Sequence, residues 1–123
     1  MVLDAGALIA LDRNDRAMWV RLKALHDEGE VPVTHGGVIG QVWRGEPRQA
    51  RLATALAGID IRPLDEHLGR AAGVLMRTTR TSDVVDAALA LLATDGDEIV
   101  TLDRDDFATL AAATGRHVEL VRP

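Results

Sequence analysis

Two spacings alternate along the chain: short apolar runs, and longer stretches in which apolar residues recur every three or four positions. Val2-Leu3, Val31 to Thr34, Ile59 to Arg62, Ile99 to Leu102 and Val118 to Val121 are short runs rich in Val, Ile or Leu and predict strands. Ala5 to Leu11, Arg16 to Asp27, Gly37 to Trp43, Pro47 to Leu56, Asp65 to Arg77, Asp83 to Ala93 and Asp105 to Thr114 carry Ala and Leu at helical spacing and predict helices. Strands separated by helices require crossover connections. The expected fold is therefore a three-layer α/β/α sandwich with a short, mostly parallel five-stranded sheet covered on both faces. No repeat, low-complexity tract or linker interrupts residues 1–123, which predicts a single domain.

Composition narrows the chemistry. With 47% apolar residues in 123, the chain can bury a continuous core, and with no cysteine it has neither disulfide nor thiolate chemistry. Two Trp and one Phe are the only aromatic residues, too few for a base-stacking platform. No apolar stretch reaches the roughly 20 residues of a membrane span. Asp4 interrupts the apolar opening segment and no basic residue precedes it, which argues against a secretory signal. A soluble cytoplasmic domain is the expectation.

The net charge of −5 is unevenly spread. Arg44, Arg48, Arg51, Arg62, Arg70, Arg77 and Arg80 crowd the middle of the chain, whereas seven of the thirteen aspartates fall between Asp83 and Asp106. Solvated helix faces account for most of these charges, but not for acids at element junctions. Asp4 follows the first predicted strand, Asp103 follows the fourth, and Asp83 and Asp86 open the helix leading into that fourth strand. Ligands of open parallel sheets bind at the carboxyl ends of the strands, where Asp4 and Asp103 are expected. Helix capping is the competing explanation for each aspartate. Buried without partners, several acids together repel one another, and the only lysine, Lys23, lies on an early helix. Arginine, protonation or a divalent cation must neutralise them, and hard oxygen ligands favour Mg²⁺ or Mn²⁺. The histidines His26, His35, His67 and His117 show no metal-ligand spacing and are expected to be surface residues or satisfied by hydrogen bonds.

Four stretches in order, Val2-Leu3-Asp4-Ala5-Gly6-Ala7-Leu8-Ile9-Ala10-Leu11, Val42-Trp43-Arg44-Gly45, Ser82-Asp83-Val84-Val85-Asp86-Ala87 and Ile99-Val100-Thr101-Leu102-Asp103-Arg104-Asp105-Asp106-Phe107, resemble the PIN-domain ribonucleases of the VapC toxin type. The resemblance covers essentially the whole chain. It implies a PIN-like fold and a metal-dependent endoribonuclease toxin acting on structured RNA (tRNA or rRNA), neutralised by a cognate antitoxin. It also implies pairing into a homodimer. By position it assigns Asp4, Asp86 and Asp103 as catalytic metal ligands for Mg²⁺ or Mn²⁺, with Asp83 and Asp106 as neighbouring acids. Gln41 stands where the family carries a glutamate. A neutral amide there removes one negative charge from the site, which raises the alternative of a PIN-fold pseudo-enzyme that binds antitoxin or RNA without efficient cleavage. Arg44, Arg48 and Arg80 are the candidates for contacts to the RNA backbone. Met18, Trp19, Leu22, Val42 and Trp43 are candidates for the dimer or antitoxin surface, with burial in the core as the competing explanation. A phospho-acceptor signalling domain shares this length and acid clustering, but it needs a lysine late in the chain, and none follows Lys23.

Overall fold

In the computed structural model, which describes all 123 residues, the apolar runs become β1 (Val2–Leu3), β2 (Val33–His35), β3 (Asp60–Arg62), β4 (Asp97–Val100) and β5 (Val118–Val121). They pair in the order β3-β2-β1-β4-β5, and every pairing is parallel, so the sheet is wholly rather than mostly parallel. The helices are α1 (Ala5–Asp12), α2 (Arg16–Asp27), α3 (Gly36–Val42), α4 (Ala50–Leu56), α5 (Glu66–Thr79), α6 (Val84–Leu92) and α7 (Arg104–Ala113). The chain moves outward from β1 to β2 to β3, then returns past β1 to β4 and β5. Right-handed crossovers put α1–α4 on one face and α5–α7 on the other. The packing agrees: α1 touches α2, α3 and α4, while α5, α6 and α7 touch one another. The result is the α/β/α sandwich expected from the alternation of elements.

Side-chain caps set several helix starts. Asp15 accepts from the Met18 amide, Asp65 from Leu68 and Asp83 from Asp86, so α2, α5 and α6 begin one residue after an aspartate. Pro47 opens a separate 3₁₀ turn over Pro47–Gln49 before α4, where the spacing alone suggested one continuous helix. The buried Gln49 side chain explains the break. Its carbonyl accepts from the Arg44 and Gly45 amides and its amide donates to the Val42 carbonyl, tying the end of α3 to this turn.

Two strands are shifted from their expected places. Val31 is exposed, and β2 runs on instead to His35, whose ring is fully buried. β4 starts at Asp97, which pairs with the Met1 ammonium, and ends at Val100. Leu102 leaves the ladder and is 56% exposed. The core is built from Leu, Val, Ile and Ala around one aromatic ring, Phe107, with Leu3, Leu8, Leu11, Met18, Leu52, Leu89 and Ile99 all fully buried or nearly so. Met18, Leu22 and Val42 belong to this core, while Trp43 is 38% exposed and Trp19 is partly buried, its indole N–H donating to the Leu11 carbonyl. The core explanation therefore holds for three of the five residues considered for an assembly surface. No helix is long and apolar enough to cross a membrane.

Candidate functional site

Strand order fixes where a ligand can sit. β1 and β4 are neighbours whose outgoing connections diverge, one toward β2 and the other toward β5. The carboxyl ends of such a pair border the crevice that parallel sheets use for binding. Asp4 follows β1 there, and the β4–α7 connection brings Asp103 to the same edge.

Thr101 stitches the two ends together. The Asp4 amide donates to the Val100 carbonyl at 3.0 Å. The Thr101 hydroxyl donates to Asp4 Oδ2 at 2.7 Å, and the Asp103 amide donates to the same hydroxyl oxygen at 2.9 Å. One buried threonine thus fixes the Asp4 carboxylate and the backbone carrying Asp103. Gly6 assists, because a Cβ there would come within 2.8 Å of Leu102 Cγ, the next residue of that loop.

These contacts decide between capping and site chemistry. Asp83 is a cap: its carboxylate accepts from the Asp86 amide at 3.1 Å. Asp4 and Asp103 occupy the N-cap positions of α1 and α7, yet neither makes a side-chain capping bond. Capping does not account for them.

Electrostatics shows which acids are gathered. Burial holds the Asp4 carboxyl above the usual range; the Thr101 hydroxyl and the Ala5 amide oppose this, while repulsion from Asp103 and Asp83 adds to it. Asp86, in the first turn of α6, is pushed up to about 7, first by burial and then by Asp83, Asp4, Asp103 and Asp106. Asp86 therefore lies in the field of acids from three places in the fold: Asp83 beside it, Asp4 after β1, and Asp103 and Asp106 at the start of α7. None of them takes part in any of the protein's five ion pairs. Two clefts that share Asp105 and Asp106 border these acids; Asp86 lines one and Asp103 the other, while the buried Asp4 lines neither. One, of about 340 Å³, is lined by Thr81, Ser82, Asp83, Asp86 and the α7 residues Thr109 and Leu110; the other, of about 940 Å³, runs past Asp103 and Arg104 to His117 and β5.

A hard divalent cation fits this donor set chemically, since carboxylate oxygens with uncompensated negative charge are its preferred ligands. No three acidic or histidine side chains converge at ligating distance. A cation held by one or two direct carboxylates and several retained waters needs no such convergence.

The remaining expected residues are placed elsewhere. Gln41 is exposed and lines a separate groove of about 470 Å³ with Asp12, Arg13, Arg44, Arg48 and Arg51, a groove that Asp4, Asp86 and Asp103 do not line. The Arg44 guanidinium is folded back on the carbonyls of Gly40, Gln41 and Trp43, closing the end of α3. Arg48 pairs with Glu46 at 2.5 Å. Arg80 makes no ion pair and stands exposed just before the Thr81–Asp83 rim of the smaller cleft, in the left-handed conformation at φ 56°. Glycine is the usual residue there, so Arg80→Gly should stabilise the fold by up to about 1 kcal/mol. Urea midpoints of the two proteins check this, and an unchanged or lower midpoint in Arg80→Gly would contradict it.

Sequence reasoning missed Thr101 and gave His35 no specific role. A polar residue two places before Asp103, at the end of an apolar run, was the available signal for the first. For His35 the fully buried ring satisfies the general expectation of a hydrogen-bonded histidine, but its partner lies fifty residues away. No family model matches the chain, and no curated protein matches it.

Proposed function

We propose that the protein is a metal-dependent endoribonuclease whose cation sits among Asp4, Asp86 and Asp103. The observation that carries this reading is the gathering of unpaired carboxylates at the divergence of β1 and β4, two of them N-cap residues that do not cap. Bound Mg²⁺ or Mn²⁺ would supply charge neutralisation at a phosphodiester and an activated water.

The chain's own residues do the rest. Thr101 holds the Asp4 carboxylate in one orientation, and through the Asp103 amide it sets the entry to α7. Asp86, pushed up to about 7 by burial and by its acidic neighbours, would have to give up its proton to hold a cation. Arg80, exposed and without an ion pair, adjoins Thr81 at the rim of the smaller cleft, and Arg104 lines the larger one; both are suited to a phosphate of the RNA. The arginine groove beside α3 offers a second stretch of positive field, although Arg44 and Arg48 are already engaged within the chain.

The toxin role, the antitoxin and the homodimer rest on the resemblance to VapC-type proteins. Trp43 is the exposed aromatic residue available for such a surface. Incubating purified, antitoxin-free protein with structured RNA is expected to give Mn²⁺-dependent cleavage that chelation stops. Binding of RNA or antitoxin without cleavage at any Mn²⁺ concentration favours the pseudo-enzyme alternative.

A further inference from the structure

His35 occupies a junction that the acid cluster depends on but does not include. It is the last residue of β2 and the N-cap of α3, with no exposed surface. Its Nδ1 accepts from the Gly37 amide at 3.0 Å, capping α3. That leaves Nε2 as the proton-bearing nitrogen, and it donates to the Val85 carbonyl at 2.9 Å. Val85 is the neighbour of Asp86 in the first turn of α6. One ring therefore joins helices from opposite faces of the sheet.

The packing leaves this ring little freedom. A Cβ at Gly37 would lie 2.8 Å from His35 Cε1, 3.1 Å from Nδ1 and 3.3 Å from Val85 Cγ2. Glycine at 37 is what lets the ring lie between α3 and Val85. The other contacts at the start of α6 are the exposed Asp83 cap and the packing of Val85 and Ala87 against the core, and neither ties it to the end of β2 by a hydrogen bond. A carboxylate serving a cation must be held in place by the groups behind it, and for Asp86 the backbone that carries it is pinned by His35.

We infer that His35 is a positioning residue that latches the first turn of α6, and with it Asp86, to the end of β2. The consequence for cation binding rests on the nuclease reading above; the latch itself does not. Two substitutions separate the ring's functions. His35→Asn keeps an N-cap acceptor for Gly37 but is too short to reach Val85, whereas His35→Gln places an amide N–H near the position of Nε2. Gly37→Ala leaves every hydrogen-bonding group in place and displaces the ring by contact.

Amide hydrogen exchange and calorimetric titration with Mn²⁺ alone test the inference. In His35→Asn and Gly37→Ala, exchange at the Ala87–Leu89 amides should rise about tenfold or more relative to α7. Mn²⁺ affinity should fall about 10-fold to 100-fold, the usual cost of losing a group that orients a ligand. His35→Gln should recover most of both. If His35→Asn fails to fold, Gly37→Ala carries the same comparison. Unchanged α6 exchange in Gly37→Ala, or uniform acceleration over the whole chain in all three variants, overturns the latch. A wild-type protein that binds no Mn²⁺ sinks the nuclease reading instead, and the exchange pattern still decides the latch.

Discussion

Asp86→Asn is expected to abolish RNA cleavage and, in the cation-free protein, to raise stability above neutral pH. Both effects come from one carboxylate held where its charge is unwelcome. In the folded chain Asp86 keeps its proton up to about pH 7, against 3.8 for an unperturbed aspartate. Between those values the folded state binds more protons than the unfolded one. The favourable contribution of the protonated carboxyl is complete below the lower value and is lost as pH rises through the upper one. Asp4, also raised by burial, acts in the same direction. An amide removes the charge while keeping the shape. Each pKa unit is worth about 1.4 kcal/mol, and after screening around a half-buried side chain the gain for Asn at about pH 8 is about 1–2 kcal/mol. Saturating Mn²⁺ should reverse the wild-type trend, because a cation binds and stabilises the ionised form. Urea midpoints across this pH range, with and without Mn²⁺, read both signs. An Asp86→Asn protein with the pH slope of the wild type would show that the cluster does not strain the fold.

Thr101→Val is expected to cost about 2–3 kcal/mol and to take activity with it, although the two side chains have nearly the same shape. The hydroxyl donates to a carboxylate that is only 4% exposed and accepts from the Asp103 amide. Removing it takes away the larger of the two donors that stabilise a buried charge, and bonds to charged groups are among the costlier ones to lose. Thr101→Ser keeps the hydroxyl and should retain most of the cleavage rate, at a stability cost set by the missing methyl alone. In the Asp4→Asn background, Thr101→Val should cost less, because the buried acceptor is then neutral. Equal losses in the two backgrounds would mean that the cost does not come from the bond between the Thr101 hydroxyl and the Asp4 carboxylate.

The path from sequence to site was readable where it depended on periodicity and failed where it depended on a distant partner. Alternating short Val/Ile/Leu runs and Ala/Leu stretches were enough to give five strands and seven helices, because both the strand and helix periods leave a local trace. β2 starts two residues later and ends one later than expected, and β4 lies two residues earlier, because tertiary contacts decide these bounds. The buried His35 ring extends β2, and Thr101 turns its hydroxyl to Asp4 at the close of β4. The placing of Asp4 after β1 and of Asp103 after β4 was visible in the sequence, because each acid directly follows a short apolar run, and Asp86 was visible as an acid in the first turn of a helix. Gln41 shows the limit of position-by-position transfer: its place in the chain suggested the acid site, while the folded α3 gives it to the arginine groove. Arg44 shows another, since no spacing rule says that its guanidinium turns back onto its own helix end.

The central claim is that the carboxylates at the β1–β4 edge hold a divalent cation, and calorimetric titration of Mn²⁺ into wild-type and Asp4→Asn protein tests it most directly. The wild type should show saturable binding at slightly alkaline pH, and the variant, still folded, should bind about tenfold more weakly or worse. Equal affinity in the two proteins, or no saturable binding by the wild type, would contradict the account.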